Sequence, residues 1–304
     1  MIRDPERFFS ELKKKRVGVV GLGVSHFALI RLMLKKGIGV TVLDKREMEA
    51  LGEDGRTLEK EGARFILGDG YLDALTSFDV LFRTPGMYFL SDALNKARAA
   101  GVSVVSEMEV FFDLCPCRVF AVTGSDGKTT TSTLISEFFK AEGKTVHLGG
   151  NIGRALLPQI EEIKPEDICV VELSSFQLIS MRQSPDVAVV TNVAPNHLDV
   201  HRDMQEYIDA KKNILLHQNG FSRTVLNFEN TVTREEMAPL VRGELCWFSK
   251  ERPVENGSFL RGDGMLCRVR HGEAAPVVHR DEIRIPGMHN ATKASGRSQG
   301  NLAA

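Results

Sequence analysis

Val119-Phe-Ala-Val-Thr-Gly-Ser-Asp-Gly-Lys-Thr-Thr130 runs a β-branched and aromatic stretch into a glycine-rich turn, a lysine and two threonines, and an amphipathic helical pattern follows. This is the pattern of a phosphate cradle. Gly124 and Gly127, flanking Ser125 and Asp126, let consecutive backbone N–H groups point into one concavity, and the helix presents its positive dipole end to the same place. Lys128 adds a mobile cation, and Thr129 stands where a hydroxyl can ligate the Mg²⁺ that accompanies a nucleoside triphosphate. The loop is a shortened G-x-x-G-K-T, because Val122 occupies the position where the longer pattern has its first glycine. An ordinary strand-to-helix turn would account for the glycines but not for the lysine and threonine placed directly after them.

Outward from this loop, Arg118 opens an α/β series with expected strands at Ile168–Leu173 and Val187–Val193 and a helix from about Asp203 to His217. Beyond Phe221 the signals change to short strands and tight turns. One is Arg261-Gly-Asp-Gly264, between Ser258-Phe-Leu260 and Met265-Leu-Cys-Arg-Val269, read as a hairpin that completes the sheet. Upstream, Val17–Val20, Gly39–Leu43, Phe65–Leu67, Asp79–Phe82 and Val102–Val105 alternate with helical segments, which predicts an open, mainly parallel sheet. Asp113-Leu-Cys-Pro-Cys117 breaks the pattern. The expected organisation is therefore α/β throughout, with a Rossmann-like domain over 1–112, a central P-loop-type domain over 113–290 and a tail over 291–304.

The 304 residues suffice for two domains of about 150 residues each. No apolar run approaches the ~20 residues that cross a bilayer, so no membrane insertion is expected. A net charge of −1 gives no electrostatic case for nucleic acid. The N-terminus lacks a secretory apolar core. Five cysteines, with Cys115 and Cys117 one residue apart, read as reduced thiols of a cytoplasmic protein.

Gly21-Leu-Gly-Val-Ser-His26 follows a strand, opens a helix and precedes Asp44 by just over twenty residues. It resembles a dinucleotide fingerprint, but His26 fills the third glycine position, which normally allows close helix–strand contact. A nicotinamide site, a nucleotide-substrate site and a turn needed only for packing all remain open at this loop.

Three further residues carry chemistry. Glu172 ends an apolar strand, where an open α/β sheet places its ligand crevice, and a Mg²⁺ shared with Thr129 and phosphates would give the carboxylate a partner. His197 follows the next strand in Thr191-Asn-Val-Ala-Pro-Asn-His197. Lys211 falls within about 10° of the centre of the stripe formed by Met204, Tyr207, Ile208, Ile214 and Leu215 on a helix of about 100° per residue. An ammonium facing a core costs several kcal/mol unless it is paired or modified, although its stem can also snorkel to solvent.

These segments occur in the order Thr-Gly-Ser-Asp-Gly-Lys-Thr-Thr130, Gly149-Gly-Asn-Ile-Gly153, Glu172-Leu-Ser-Ser-Phe-Gln177, Asn192–His197 and Tyr207-Ile-Asp-Ala-Lys211. Together they resemble the Mur ligases of peptidoglycan synthesis over about residues 15–290, and within that family the D-glutamate-adding branch. The resemblance implies that Val24, Ser25, Asp44, Arg46 and the turn Thr84-Pro85-Gly86 hold the uridine diphosphate of UDP-N-acetylmuramoyl-L-alanine. It implies that Gly124, Ser125, Asp126, Gly127, Lys128, Thr129 and Thr130 hold ATP, with Asn290 of Pro286-Gly-Met-His-Asn290 near adenine. Thr129 and Glu172 would serve one Mg²⁺, and His197 and Lys211 a second, the lysine being carbamylated by CO₂. Asn151, Ser174 and Gln177 would contact the muramoyl-alanine end and the phosphates.

The implied reaction is ATP-dependent amide formation with D-glutamate through an acyl phosphate. The family's third domain has no counterpart after Asn290. Lys293 stands where the family has a second asparagine, and 291–304 reads as disordered, which suggests a truncated or frameshifted product. Three other readings stay open at this point: a chain that only binds UDP-linked substrate and ATP, another amino-acid-adding Mur ligase, and a nicotinamide dehydrogenase resting on the first glycine loop.

Overall fold

Val17–Val20 (β1) is buried along its whole length, as a strand covered by helices on both faces must be. In a computed structural model that describes residues 4–196 and 200–283, it is the centre of a five-stranded sheet. Its neighbours are β2 (Val40–Asp44), β3 (Arg64–Leu67), β4 (Val80–Arg83) and β5 (Ser103–Val105), all parallel, in the order β3-β2-β1-β4-β5. Five helices complete this unit: α1 (Pro5–Leu12), α2 (Val24–Lys35), α3 (Met48–Lys60), α4 (Asp92–Ala99) and α5 (Glu107–Leu114). Leu29, Ile30 and Met33 of α2 are fully buried, each stabilising the fold by about 1.5–3 kcal/mol. The strand order reverses between β1 and β4, and a ligand crevice forms at such a switch point.

The unit comprises the chain up to Pro116 together with Arg154–Ile163. No sequence signal marked that later segment as belonging here. It is held by an ion pair of 2.6 Å between Lys36 and Glu161.

The second unit, Cys117–Gly153 and the chain from Lys164, is built on a sheet with nine strands among the described residues. They are β6 (Arg118–Thr123), β7 (Val146–Gly150), β8 (Ile168–Glu172), β9 (Val187–Val190), β10 (Arg223–Asn227), β11 (Glu244–Ser249), β12 (Gly257–Leu260), β13 (Met265–Arg270) and β14 (Glu273–His279). Their order is β14-β13-β12-β11-β10-β9-β6-β8-β7, parallel from β7 to β12 and closed by the antiparallel β12–β13–β14 meander. The hairpin expected around Arg261–Gly264 is the β12–β13 turn. Its α-helices among the described residues are α6 (Lys128–Ala141), α7 (Ser175–Leu178) and α8 (Met204–Leu216). Phe120, Val122, Ile135, Phe139, Val170 and Val189 form its core. Here the order reverses at β6, which lies between β8 and β9.

Strand β9 is shorter than the apolar run suggests. It stops at Val190 because Thr191 turns away to donate from Oγ1 to the Asp126 carbonyl at 2.6 Å. All five cysteines are buried and none is in a disulfide; burial, then the nearby Glu244 charge, pushes the Cys246 thiol up to about 12. Among the described residues, no helix is long and apolar enough to cross a membrane.

Candidate active site

The phosphate loop leaves β6 at its carboxyl end and turns at Gly124, whose φ of +150° and contact with Thr191 Oγ1 leave no room for a Cβ. The loop therefore lies flat against the end of β9, where Asn192 accepts from the Ser125 N–H through its carbonyl and from the Asp126 N–H through Oδ1, both at 2.9 Å. Gly127 begins α6 with no side-chain cap, so the first-turn N–H groups face the loop with no partner from the cap residue. Lys128 Nζ donates to the Gly124 and Ser125 carbonyls at 3.0 Å each. A cation folded onto its own loop in this way stands where phosphate oxygens would be neutralised. Thr130 follows in the same first turn of α6.

Glu172, 1% exposed at the end of β8, accepts from Thr129 Oγ1 at 2.8 Å and from Asn151 Nδ2 at 3.0 Å. Asn151, expected from the resemblance to contact substrate, thus also orients this carboxylate. Ser174 and Gln177 are close by in sequence but engage each other, since they form the capping box of α7.

Helix α8 spans the expected residues, capped by the Asp203 side chain, and Lys211 points inward at 1% exposure. Its Nζ donates to the Gly124 carbonyl at 3.0 Å, contacts Thr123 Oγ1 at 3.4 Å and lies 4.6 Å from the centre of the Tyr207 ring. Burial, and then the like charge of Lys128, brings the Lys211 ammonium down to about 7. Two lysines thus converge on one carbonyl. His197 and Asn290 lie outside the described residues.

In the first unit, a cavity of about 520 Å³ opens at the carboxyl ends of β1, β2 and β4, walled by Gly21, Asp44, Arg46, Tyr71, Thr84 and Gly86. Asp44 ties the loop down. Its carboxylate accepts from the Leu22 N–H at 2.8 Å and from the Arg46 guanidinium at 2.7 Å, while Arg46 also donates to the Leu22 carbonyl at 2.7 Å. Burial pushes Asp44 up, but the Arg46 and Leu22 hydrogen bonds together leave it below its ordinary value. Val24, the first residue of α2, is 95% exposed; Ser25 beside it is half-buried. Pro85 sits in the turn between Thr84 and Gly86.

Two residues outside the expected site set shape this loop. His26 is 1% exposed and its Nδ1–H donates to the Gly21 carbonyl at 2.7 Å, while burial holds the ring neutral. The imidazole replaces a tight glycine packing contact with a hydrogen bond. Arg83, also 1% exposed, donates from Nη1 to the Thr84, Pro85 and Met87 carbonyls at 3.2, 3.4 and 2.9 Å. Burial brings it down to about 10. An arginine ending an apolar strand was the available signal.

A family model for the Mur ligase middle domain matches residues 122–294, and one for the MurD-like Mur ligase N-terminal domain matches 15–106. The chain belongs to the Mur ligase family. This Mur ligase chain is 48% identical over 283 residues to the UDP-N-acetylmuramoylalanine–D-glutamate ligase of Acetivibrio thermocellus, covering 93% of itself and 60% of that protein. It is also 48% identical over 290 residues to the enzyme of the same name from Clostridium botulinum, covering 95% and 62%. The chain thus spans about three-fifths of the length of these curated relatives. The UDP-N-acetylmuramate:L-alanyl-gamma-D-glutamyl-meso-diaminopimelate ligase of Neisseria meningitides shares the fold at a TM-score of 0.62 and 17% identity, over 95% of this chain and 93% of that one.

Proposed function

We propose that this chain binds UDP-N-acetylmuramoyl-L-alanine in its first unit and ATP with Mg²⁺ in its second, and that it serves the addition of D-glutamate in peptidoglycan precursor synthesis. The observation that carries the reading is the convergence of Lys128, Thr129, Glu172 and Lys211 on one loop at the carboxyl ends of β6 and β8. The likeness to relatives named for that reaction supports the choice of substrates.

The donor set suits Mg²⁺: Thr129 Oγ1 and Glu172 Oε2 are hard oxygens 2.8 Å apart, and Mg²⁺ takes few protein oxygens and completes its shell with phosphate and water. When bound, Mg²⁺ withdraws charge from the triphosphate. His197 and a carbamylated Lys211 are the proposed donors to a second ion.

A carboxylate is a poor electrophile, so the alanyl carboxylate first takes the γ-phosphoryl group. Its oxygen bonds to phosphorus as the bond to the bridging oxygen breaks and ADP leaves. The amine of D-glutamate then adds to the acyl carbon and loses a proton, and the adduct expels phosphate to leave an amide. In this scheme the Gly124–Gly127 amides and Lys128 hold the transferring phosphoryl group, and Asn151 keeps Glu172 aligned.

ADP release by the 304-residue chain, with UDP-N-acetylmuramoyl-L-alanine and with or without D-glutamate, tests this. D-glutamate-dependent release that disappears in Lys128→Ala supports the ligase reading. Binding of both ligands without release supports the reading in which the chain only binds them, and binding of neither refutes the proposal.

A further inference from the structure

Ser175, His201 and Glu206 form a buried relay that the proposed chemistry does not use. His201 Nε2 lies 2.9 Å from Ser175 Oγ and Nδ1 lies 3.2 Å from Glu206 Oε1, which also accepts from the Arg202 N–H at 3.2 Å. The carboxylate selects the Nδ1–H tautomer, so Nε2 accepts from the Ser175 hydroxyl. This serine–histidine–acid order is that of a hydrolase triad. Here, however, Ser175 and His201 are 2% exposed and Glu206 8%, and the Phe176 ring stacks on the imidazole at 5.1 Å. No acyl group can reach the serine, so the relay holds rather than attacks.

What it holds is specific. Ser175 opens α7 three residues after Glu172, and Glu206 stands in the first turn of α8, five residues before Lys211. Tyr207 meets the His201 ring edge-on at 5.4 Å, its hydroxyl lies 2.9 Å from Ser125 Oγ in the phosphate loop, and its ring carries the Lys211 ammonium. His201 is therefore the bolt between the β8–α7 corner that presents Glu172 and the helix that presents Lys211.

We propose that His201 is a positioning residue that sets the spacing of Glu172 and Lys211, and thereby the metal-dependent part of nucleotide affinity. The inference rests on the reading of both residues as metal donors. Partners that orient metal ligands typically change metal affinity by about 10–100-fold when lost, whereas metal-free nucleotide binding depends on the loop amides and Lys128.

The test measures β,γ-imido-ATP affinity by calorimetry with and without Mn²⁺, in bicarbonate buffer, for wild type, His201→Ala, Ser175→Ala and Glu206→Gln. The expected result is a gain on adding Mn²⁺ that falls about tenfold or more in His201→Ala and Ser175→Ala. Metal-free affinity should stay within about threefold, and Glu206→Gln, which keeps an acceptor for Nδ1–H, should hold most of the gain. Ser175→Ala deletes one oxygen and carries the test if His201→Ala does not fold. An unchanged Mn²⁺ gain in the folded variants overturns the proposal, as does a proportional loss of metal-free affinity. A wild-type chain whose nucleotide affinity ignores Mn²⁺ sinks the metal reading itself.

Discussion

Lys211 gives the sharpest stability prediction. Its ammonium is brought from 10.5 to about 7 by burial and by Lys128, a gap of about 3.5 pH units, or about 5 kcal/mol. Below pH 7 both folded and unfolded chains carry the proton, and the folded state bears the full cost. Between about 7 and 10.5 only the unfolded chain carries it, so stability rises with pH across that window; above it the cost is gone. Lys211→Met, of similar length and uncharged, should therefore be more stable than wild type at pH 6.5, by an amount that shrinks by roughly 2 kcal/mol between pH 7 and 9. Urea unfolding in CO₂-free buffer measures this through Trp247, the single tryptophan, which lies on β11 of the same unit. A stability difference that stays constant or widens over that range would refute the account of Lys211. The same depression leaves about half of the Lys211 amine neutral at pH 7, against about one in 3,000 for an ordinary lysine, and a neutral amine is what CO₂ attack requires.

Other predictions concern single groups. Burial raises Glu107 from 4.5 to about 7, so the first unit loses stability as pH climbs from about 4.5 to 7. Glu107→Gln should be near neutral at pH 4.5 and stabilise by about 3 kcal/mol at pH 8, and a calorimetric difference equal at the two pH values would contradict this. Gly124→Ala places a methyl against Thr191 Oγ1 at φ +150° and should cost about 2 kcal/mol or more, read from Trp247 fluorescence; a neutral substitution would show that the loop can move. Thr129→Val keeps the volume and removes the hydroxyl on Glu172. Mg²⁺-dependent nucleotide affinity should drop at least about tenfold while metal-free affinity holds, as titration calorimetry can resolve.

Much of the architecture was legible because parallel strands buried on both faces read as apolar runs, and because glycine turns mark where they end. The inward aim of Lys211 followed from helical periodicity alone. Less legible were features that depend on where a side chain finds its partner. Asn151 bonds Glu172 across twenty-one positions, and Arg83 folds back on its own turn; neither leaves a periodic trace. Strand β9 looked longer than it is because Val193 continues the apolar run after Thr191 and Asn192 have turned to hold the phosphate loop. His26 read as a flaw in a glycine motif. The fold makes it a buried donor to Gly21, a substitution of one packing solution for another.

Lys128 and its loop are proposed to hold the phosphates of ATP. Titration calorimetry of β,γ-imido-ATP with Mg²⁺ into the 304-residue chain tests this most directly. The account predicts one nucleotide per chain and a loss of about 100-fold or more in Lys128→Ala, since removing a charged partner of a buried phosphate costs about 3 kcal/mol or more. Absent binding, or equal binding by the variant, would contradict it.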